Sequence, residues 1–353
     1  MKLKAEQRAL QSANSMIGDL RFLQILAVTL FLLGGLVTAQ VQADDQADDD
    51  VQRWLDRMAR AVETLNYRGT LVHVREDRVD TLRIIHRSDE GGVRERIYAI
   101  DGEPREVLRD GNKVRCLLPG DQPQVLESQL AGRLLPNLPV NRLTSPESAY
   151  NMSMSGKERV AGLATQIVTI EPRDEYRYGY RLWLEESTAM LLRYALIDPE
   201  GRQLQQLSFT SIEMGATISD AELEPAMVDA PRVLTTRLED TDGRIRTGRR
   251  HEAFRGRVPP GFRLANVGRG RSESGEEFEH LLFSDGLASF SIYIENAAPG
   301  SVGGRIKAMG ALHVFTEQSD GRSLTVVGEV PAATVEYVGQ RFRRGGEGTR
   351  SNE

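Results

Sequence analysis

The sequence predicts a mainly β (α+β) chain built as two units, and three observations carry that expectation. Apolar and polar residues alternate in run after run, the period-two pattern of strands with one buried face. Turn signals separate the runs at roughly ten-residue spacing, as in antiparallel meanders. A stretch without apolar period, about residues 231–250, then splits the runs into a larger and a smaller set. The length of 353 residues agrees with two domains at roughly 100–200 residues each.

The first 43 residues read as an export signal. Arg21 precedes a charge-free apolar run, two small-x-Ala sites follow, and the acidic DDQADDD comes next. Cleavage is expected after Ala43, although the run is long enough to serve as an uncleaved anchor. Residues 44–353 carry 41 basic against 49 acidic residues, a formal charge of −8, which argues against a general nucleic-acid binder.

Trp54, Leu55, Met58, Ala59, Val62 and Leu65 fall at helical spacing and predict one amphipathic helix over 47–65. From Tyr67 the period becomes two. Strands are expected over 67–75, 79–87, 93–100, 105–109 and 113–118, with turns at Gly91-Gly92, Asp101-Gly102 and Asp110-Gly111. Residues 119–147 hold five prolines among leucines and predict a loop with short helical turns lying over the sheet. Strands resume over 150–160, 166–171, 180–185, 191–196 and 204–214, followed by a short capped turn in 217–229. The domain limits are therefore 44–225 and 251–343, with a linker over 226–250 and a disordered tail over 344–353. Within the smaller unit, strands are expected over 263–268, 277–284, 287–295, 306–316 and 323–330, and Pro331 opens a helix at its N1 position.

The hairpin LLFSDGLASFSIYIE, residues 281–295, poses a sharper question. Ala288, Phe290, Ile292 and Ile294 point to a core, whereas Leu287 and Tyr293 stand among polar residues on the opposite face. Those two are candidate partner contacts.

No CxxC, HExxH, GxSxG or P-loop occurs, so no enzyme, cofactor or metal is expected. His73 and His86, on adjacent strands, are a weak metal signal. The single Cys116 reads as a small buried apolar residue, with no internal disulfide. Two features suit binding. Leu82, Ile84, Val114, Leu118, Leu182, Leu184, Leu192, Tyr194 and Leu196 share one apolar face, which, incompletely covered, would wall a cavity for an acyl chain. Arg244, Arg246, Arg249 and Arg250 form a positive patch in the linker region, suited to phosphates or an acidic partner. Core residues and a solvated linker are the plainer readings of the same two features.

LNYRGTLVHVR (65–75), the Asp198-Pro-Glu-Gly turn, VPPGF (258–262), the SDGLASFSIYIE hairpin and VVGEVPAATVEYVG (326–339) together resemble the RseB/MucB family. The resemblance implies a larger LolA/LolB-like antiparallel half-barrel with helices across its concave side, followed by a smaller C-terminal domain. It also implies a periplasmic negative regulator of the envelope-stress sigma factor. Such a regulator binds the periplasmic part of a transmembrane RseA/MucA-type anti-sigma factor, protects it from regulated proteolysis, and is released by lipid or lipopolysaccharide. A periplasmic lipid or lipoprotein carrier is the alternative, and the oligomeric state, a homo-oligomer included, stays open.

Overall fold

The computed structural model describes residues 49–76, 78–111, 113–118, 124–128, 135, 143, 148–226, 232–235, 256–271, 277–297, 300, 302–319 and 321–347. The segment 1–43, the patch residues Arg244, Arg246, Arg249 and Arg250, and residues 348–353 of the expected tail lie outside them.

Helix α1 (49–64) is followed by β1 (Tyr67–Arg75), β2 (Arg78–Asp89), β3 (Gly92–Ala99), β4 (Glu106–Asp110), β5 (Lys113–Leu118) and β6 (Gln124–Ser128). Then come β7 (Tyr150–Val160), β8 (Leu163–Pro172), β9 (Gly179–Glu185), β10 (Leu191–Ile197), β11 (Gln203–Met214), the short helix α2 (Asp220–Leu223) and β12 (Arg232–Thr235). These twelve strands form one sheet in the order β12-β6-β5-β4-β3-β2-β1-β11-β10-β9-β8-β7, an open half-barrel. Two meanders meet where β1 pairs with β11, with Tyr67 opposite Met214 and Arg75 opposite Gln205.

Gly69 is what lets that seam close. A Cβ there would stand 2.5 Å from the Ser211 carbonyl oxygen and 2.7 Å from the Phe209 ring. The ring therefore lies on bare backbone, beside the bulge between Thr70 and Leu71. Tyr67 completes the packing, stacked on His86 at 4.7 Å and edge-on to Phe209 at 6.3 Å.

The strand registers put Leu82, Ile84, Ile97 and Leu71 on the same face as Phe209, Leu207, Leu182 and Val168. The α1 stripe Val51, Leu55, Met58 and Val62 packs into that face, and each of these side chains is buried. Full burial of one such aliphatic side chain contributes about 1.5–3 kcal/mol.

A second sheet has the order β13-β14-β15-β18-β17-β16, with β13 (Arg263–Arg271), β14 (Glu277–Ser284), β15 (Ser289–Asn296), β16 (Val302–Met309), β17 (Leu312–Ser319) and β18 (Arg322–Gly328). Helix α3 (Ala332–Glu347) covers it through Val335 and Val338. The core here is aromatic: Phe262, Phe283, Phe290 and Phe315 are buried. The Phe315 ring fills a socket between two glycines, since a Cβ on Gly304 would come within 2.5 Å of it and one on Gly339 within 2.2 Å.

Four expectations are corrected. The loop expected over 119–147 contains β6, and the linker expected over 226–250 contains β12, which pairs parallel to β6. The single strand expected over 306–316 is a hairpin turning at Gly310, whose φ is +62°. Residues 344–347 of the expected tail continue α3.

Candidate functional site

The hairpin β14–β15 answers the question its sequence raised. Asp285 in its turn accepts hydrogen bonds from the Leu287 and Ala288 amides through Oδ1, at 2.9 and 2.8 Å. Its other oxygen, Oδ2, points into the first sheet and accepts from Arg177 Nε at 2.5 Å and from the Tyr150 hydroxyl at 3.0 Å. Arg177 also donates to Asp174 Oδ2 and to the Pro260 carbonyl oxygen, both at 2.5 Å, and its guanidinium lies 4.3 Å from the Phe262 ring centroid. The arginine side chain is 0% exposed and the Asp285 side chain 5%. Leu287 packs against the core of the first sheet. The turn of the hairpin is thus a plug joining the two sheets.

Charge and burial compete at this plug. Burial works against the Arg177 charge, but the carboxylates of Asp285 and Asp174 with the neighbouring Tyr150 together hold the pKa above its ordinary value. Tyr150 is pushed far up, first by burial and then by the Asp285 charge, so its hydroxyl remains a donor. A second contact runs alongside. The Tyr178 hydroxyl donates to the Ala311 carbonyl oxygen at 3.2 Å, Thr334 donates to the Tyr176 carbonyl oxygen at 2.7 Å, and Gln205 donates to Glu329 at 3.1 Å. The surrounding protein raises the Glu329 pKa by drawing its carboxyl partly out of water, although the residue as a whole is exposed.

The apolar residues read from sequence do share one face. Leu82, Ile84, Leu182, Leu184 and Leu192 belong to the core that α1 covers. Leu196 lies at the junction, clustered with Tyr178 and Ala311. Tyr194 is half-buried and its pKa is pushed up to about 12, chiefly by burial and then by Glu329. Val114 is buried on β5, and the Leu118 side chain lies outside the described set. Tyr293 is half-buried, stacked on His280 at 4.7 Å and edge-on to Phe278 at 5.6 Å. His73 and His86 do not meet: His73 lies opposite Asp80, and His86 lies opposite Tyr67 with Nδ1 2.9 Å from the Leu65 carbonyl oxygen.

Sequence reasoning missed the outer face of the first sheet. Alternation there presents Arg68, Arg87, Arg94 and Arg96, and the acidic α2 segment lies on them. Arg68 pairs with Glu213 and Glu222, Arg87 and Arg94 share Asp220, and Arg96 reaches Glu106. Between α2 and β3–β5 opens a cavity of about 290 Å³, lined by Arg94, Arg109, Lys113 and Arg115 with three carboxylates, too polar for an acyl chain. The signal was present as arginines at period two opposite the SDAELE cluster, but nothing local says that the two touch.

The family model described as the MucB/RseB N-terminal domain matches residues 50–227, and that of the MucB/RseB C-terminal domain matches 250–343. The chain belongs to the MucB/RseB family. Among curated relatives, the sigma factor AlgU regulatory protein MucB of Pseudomonas aeruginosa is 31% identical, covering 89% of this chain and 96% of the relative. The sigma-E factor regulatory protein RseB of Escherichia coli is 25% identical, covering 82% and 90%. A solved MucA/MucB complex from Pseudomonas aeruginosa superposes with a TM-score of 0.65 at 30% identity, covering 82% of this chain and 96% of the solved one. A crystal structure of MucB in complex with MucA(peri) gives 0.63 at 30% identity over the same shares.

Proposed function

We propose that this chain is a periplasmic negative regulator of an envelope-stress sigma factor. It binds the periplasmic region of a MucA-type transmembrane anti-sigma factor and shields that region from the protease that starts regulated proteolysis. The observation that carries this reading is the match across both sheets to MucB as solved with MucA(peri). The chain acts by binding, not catalysis, and reaches the periplasm through the segment 1–43. Lipid or lipopolysaccharide releases the partner by favouring the unbound form by a few kcal/mol. The apolar inner face under α1 supports that step, because displacing one helix would open it to an acyl chain.

The test is protease protection. The periplasmic segment of a MucA-type anti-sigma factor is digested with and without this chain, then with lipopolysaccharide added. Slowed cleavage that lipopolysaccharide restores supports the reading. Cleavage at the same rate with and without the chain overturns it.

A further inference from the structure

Strand β16 is the outer edge of the second sheet. It pairs with β17 on one side and, among the described residues, with no strand on the other. All eight of its residues are exposed. Of the six large apolar side chains that stand exposed among the described residues, three are on this strand: Val302, Ile306 and Met309, at 42, 43 and 50%. That concentration is what a monomeric surface avoids on a strand edge. Arg305 and Lys307 alternate with Ile306 and point to the other face, since Ile306 lies opposite Phe315, and Arg305 and Lys307 lie opposite Thr316 and Val314. Neither cation is ion-paired among the described residues.

These features select an occupant. A register irregularity between Val302 and Arg305 leaves Arg305–Met309 as the regular edge. A second copy adding antiparallel in the register centred on Ile306 would bring Arg305 of one strand opposite Lys307 of the other, which is unfavourable. A strand carrying carboxylates at alternate positions has no such penalty. The end of the edge lies beside the β1–β2 corner, which carries exposed apolar side chains of its own. Gly310, directly after β16, abuts Glu76 between β1 and β2, where a Cβ would stand 3.6 Å from the carboxylate. Just past that turn, Val79 is 62% exposed, and Ile100, whose amide bonds the Thr81 carbonyl oxygen, is 53% exposed.

We propose that β16 is an addition edge for an extended partner segment in which apolar residues alternate with carboxylates, and that the segment runs on over the β1–β2 corner. The recognition is β-augmentation: backbone hydrogen bonds supply affinity, while Ile306, Met309, Arg305 and Lys307 supply selectivity. This rests on the function proposed above, with the periplasmic region of the anti-sigma factor as the source of the segment.

The experiment is hydrogen exchange on the full exported chain, alone and with the periplasmic segment of a MucA-type anti-sigma factor, with affinities measured by calorimetry. The amides of 305–309 slow in the complex. Arg305→Glu with Lys307→Glu lowers affinity about tenfold or more and flattens its salt dependence, while the variant melts like the parent. Binding with unchanged exchange at 305–309 and unchanged affinity of the variant overturns the edge proposal alone. Absence of binding by the parent chain overturns the functional reading and the edge with it. Slowing at 305–309 that grows with protein concentration in the absence of the segment assigns the edge to a second copy and overturns the proposal.

Discussion

Arg177 and the arginines of the outer face make the same kind of bond in different solvents. Arg177 is wholly buried, and its acceptors come from both sides of the junction: Asp174 beside it, Asp285 in the second sheet, and the Pro260 carbonyl oxygen. Arg68, Arg87 and Arg94 keep 30, 18 and 29% exposure, and their partners Glu213 and Asp220 keep 57 and 74%. Breaking a buried pair strands a charge away from water, whereas an exposed pair exchanges one hydrated state for another. The junction therefore fixes how the two sheets meet, and the outer network only holds α2 against its sheet. Arg96–Glu106 is the intermediate case on that outer face, at 12 and 6% exposure.

The largest break in this contrast is Arg177→Ala. It leaves Asp285 buried without its cation and should cost about 3–5 kcal/mol in denaturant unfolding. Arg177→Lys should not rescue it, because one ammonium cannot span acceptors set out for a planar fork. A loss no greater than that of an exposed arginine would show that water reaches the plug.

Gly261→Val sharpens the same point without removing a charge. Gly261 has φ +86°, and a Cβ there would stand 2.8 Å from Arg177 Nη2. Strain and overpacking together predict a loss of about 1–3 kcal/mol, with Arg177 displaced in a crystal structure of the variant.

Glu329 gives a pH signature at the edge of the junction. Its folded pKa is raised, so the folded state holds the proton more tightly than the unfolded chain does. Its contribution is fully present below the ordinary carboxylate range and fades as pH rises through the raised value. Glu329→Gln should remove that slope from a stability–pH profile while leaving the bond from Gln205 an oxygen acceptor.

The smallest effect is expected at Asp220→Asn on the outer face. Melting at physiological salt should hardly change, and a loss should emerge only at low ionic strength, where Arg87 and Arg94 are less screened.

Much of the fold was legible because period two is a local signal. It fixed β1 to β5 and the shared face of Leu82, Ile84 and Leu182, whose pairing the structure bears out. Local signals also misled. The alternation of 306–316 runs through Gly310 unbroken, so a hairpin looked like one strand. The prolines around 124–128 masked β6, and Gly345-Gly346 looked like the end of a helix that continues to Glu347. At the candidate site, the outward-facing Leu287 was visible, but its contact was not. Arg177 and Asp285 lie 108 residues apart, and nothing near either residue names the other.

One calorimetric titration, of this chain with the periplasmic segment of a MucA-type anti-sigma factor, tests the proposed binding most directly. The expected result is saturable binding at defined stoichiometry, abolished when lipopolysaccharide is present from the start. Heats equal to dilution across the titration, from a chain whose cooperative melt shows it folded, would contradict it.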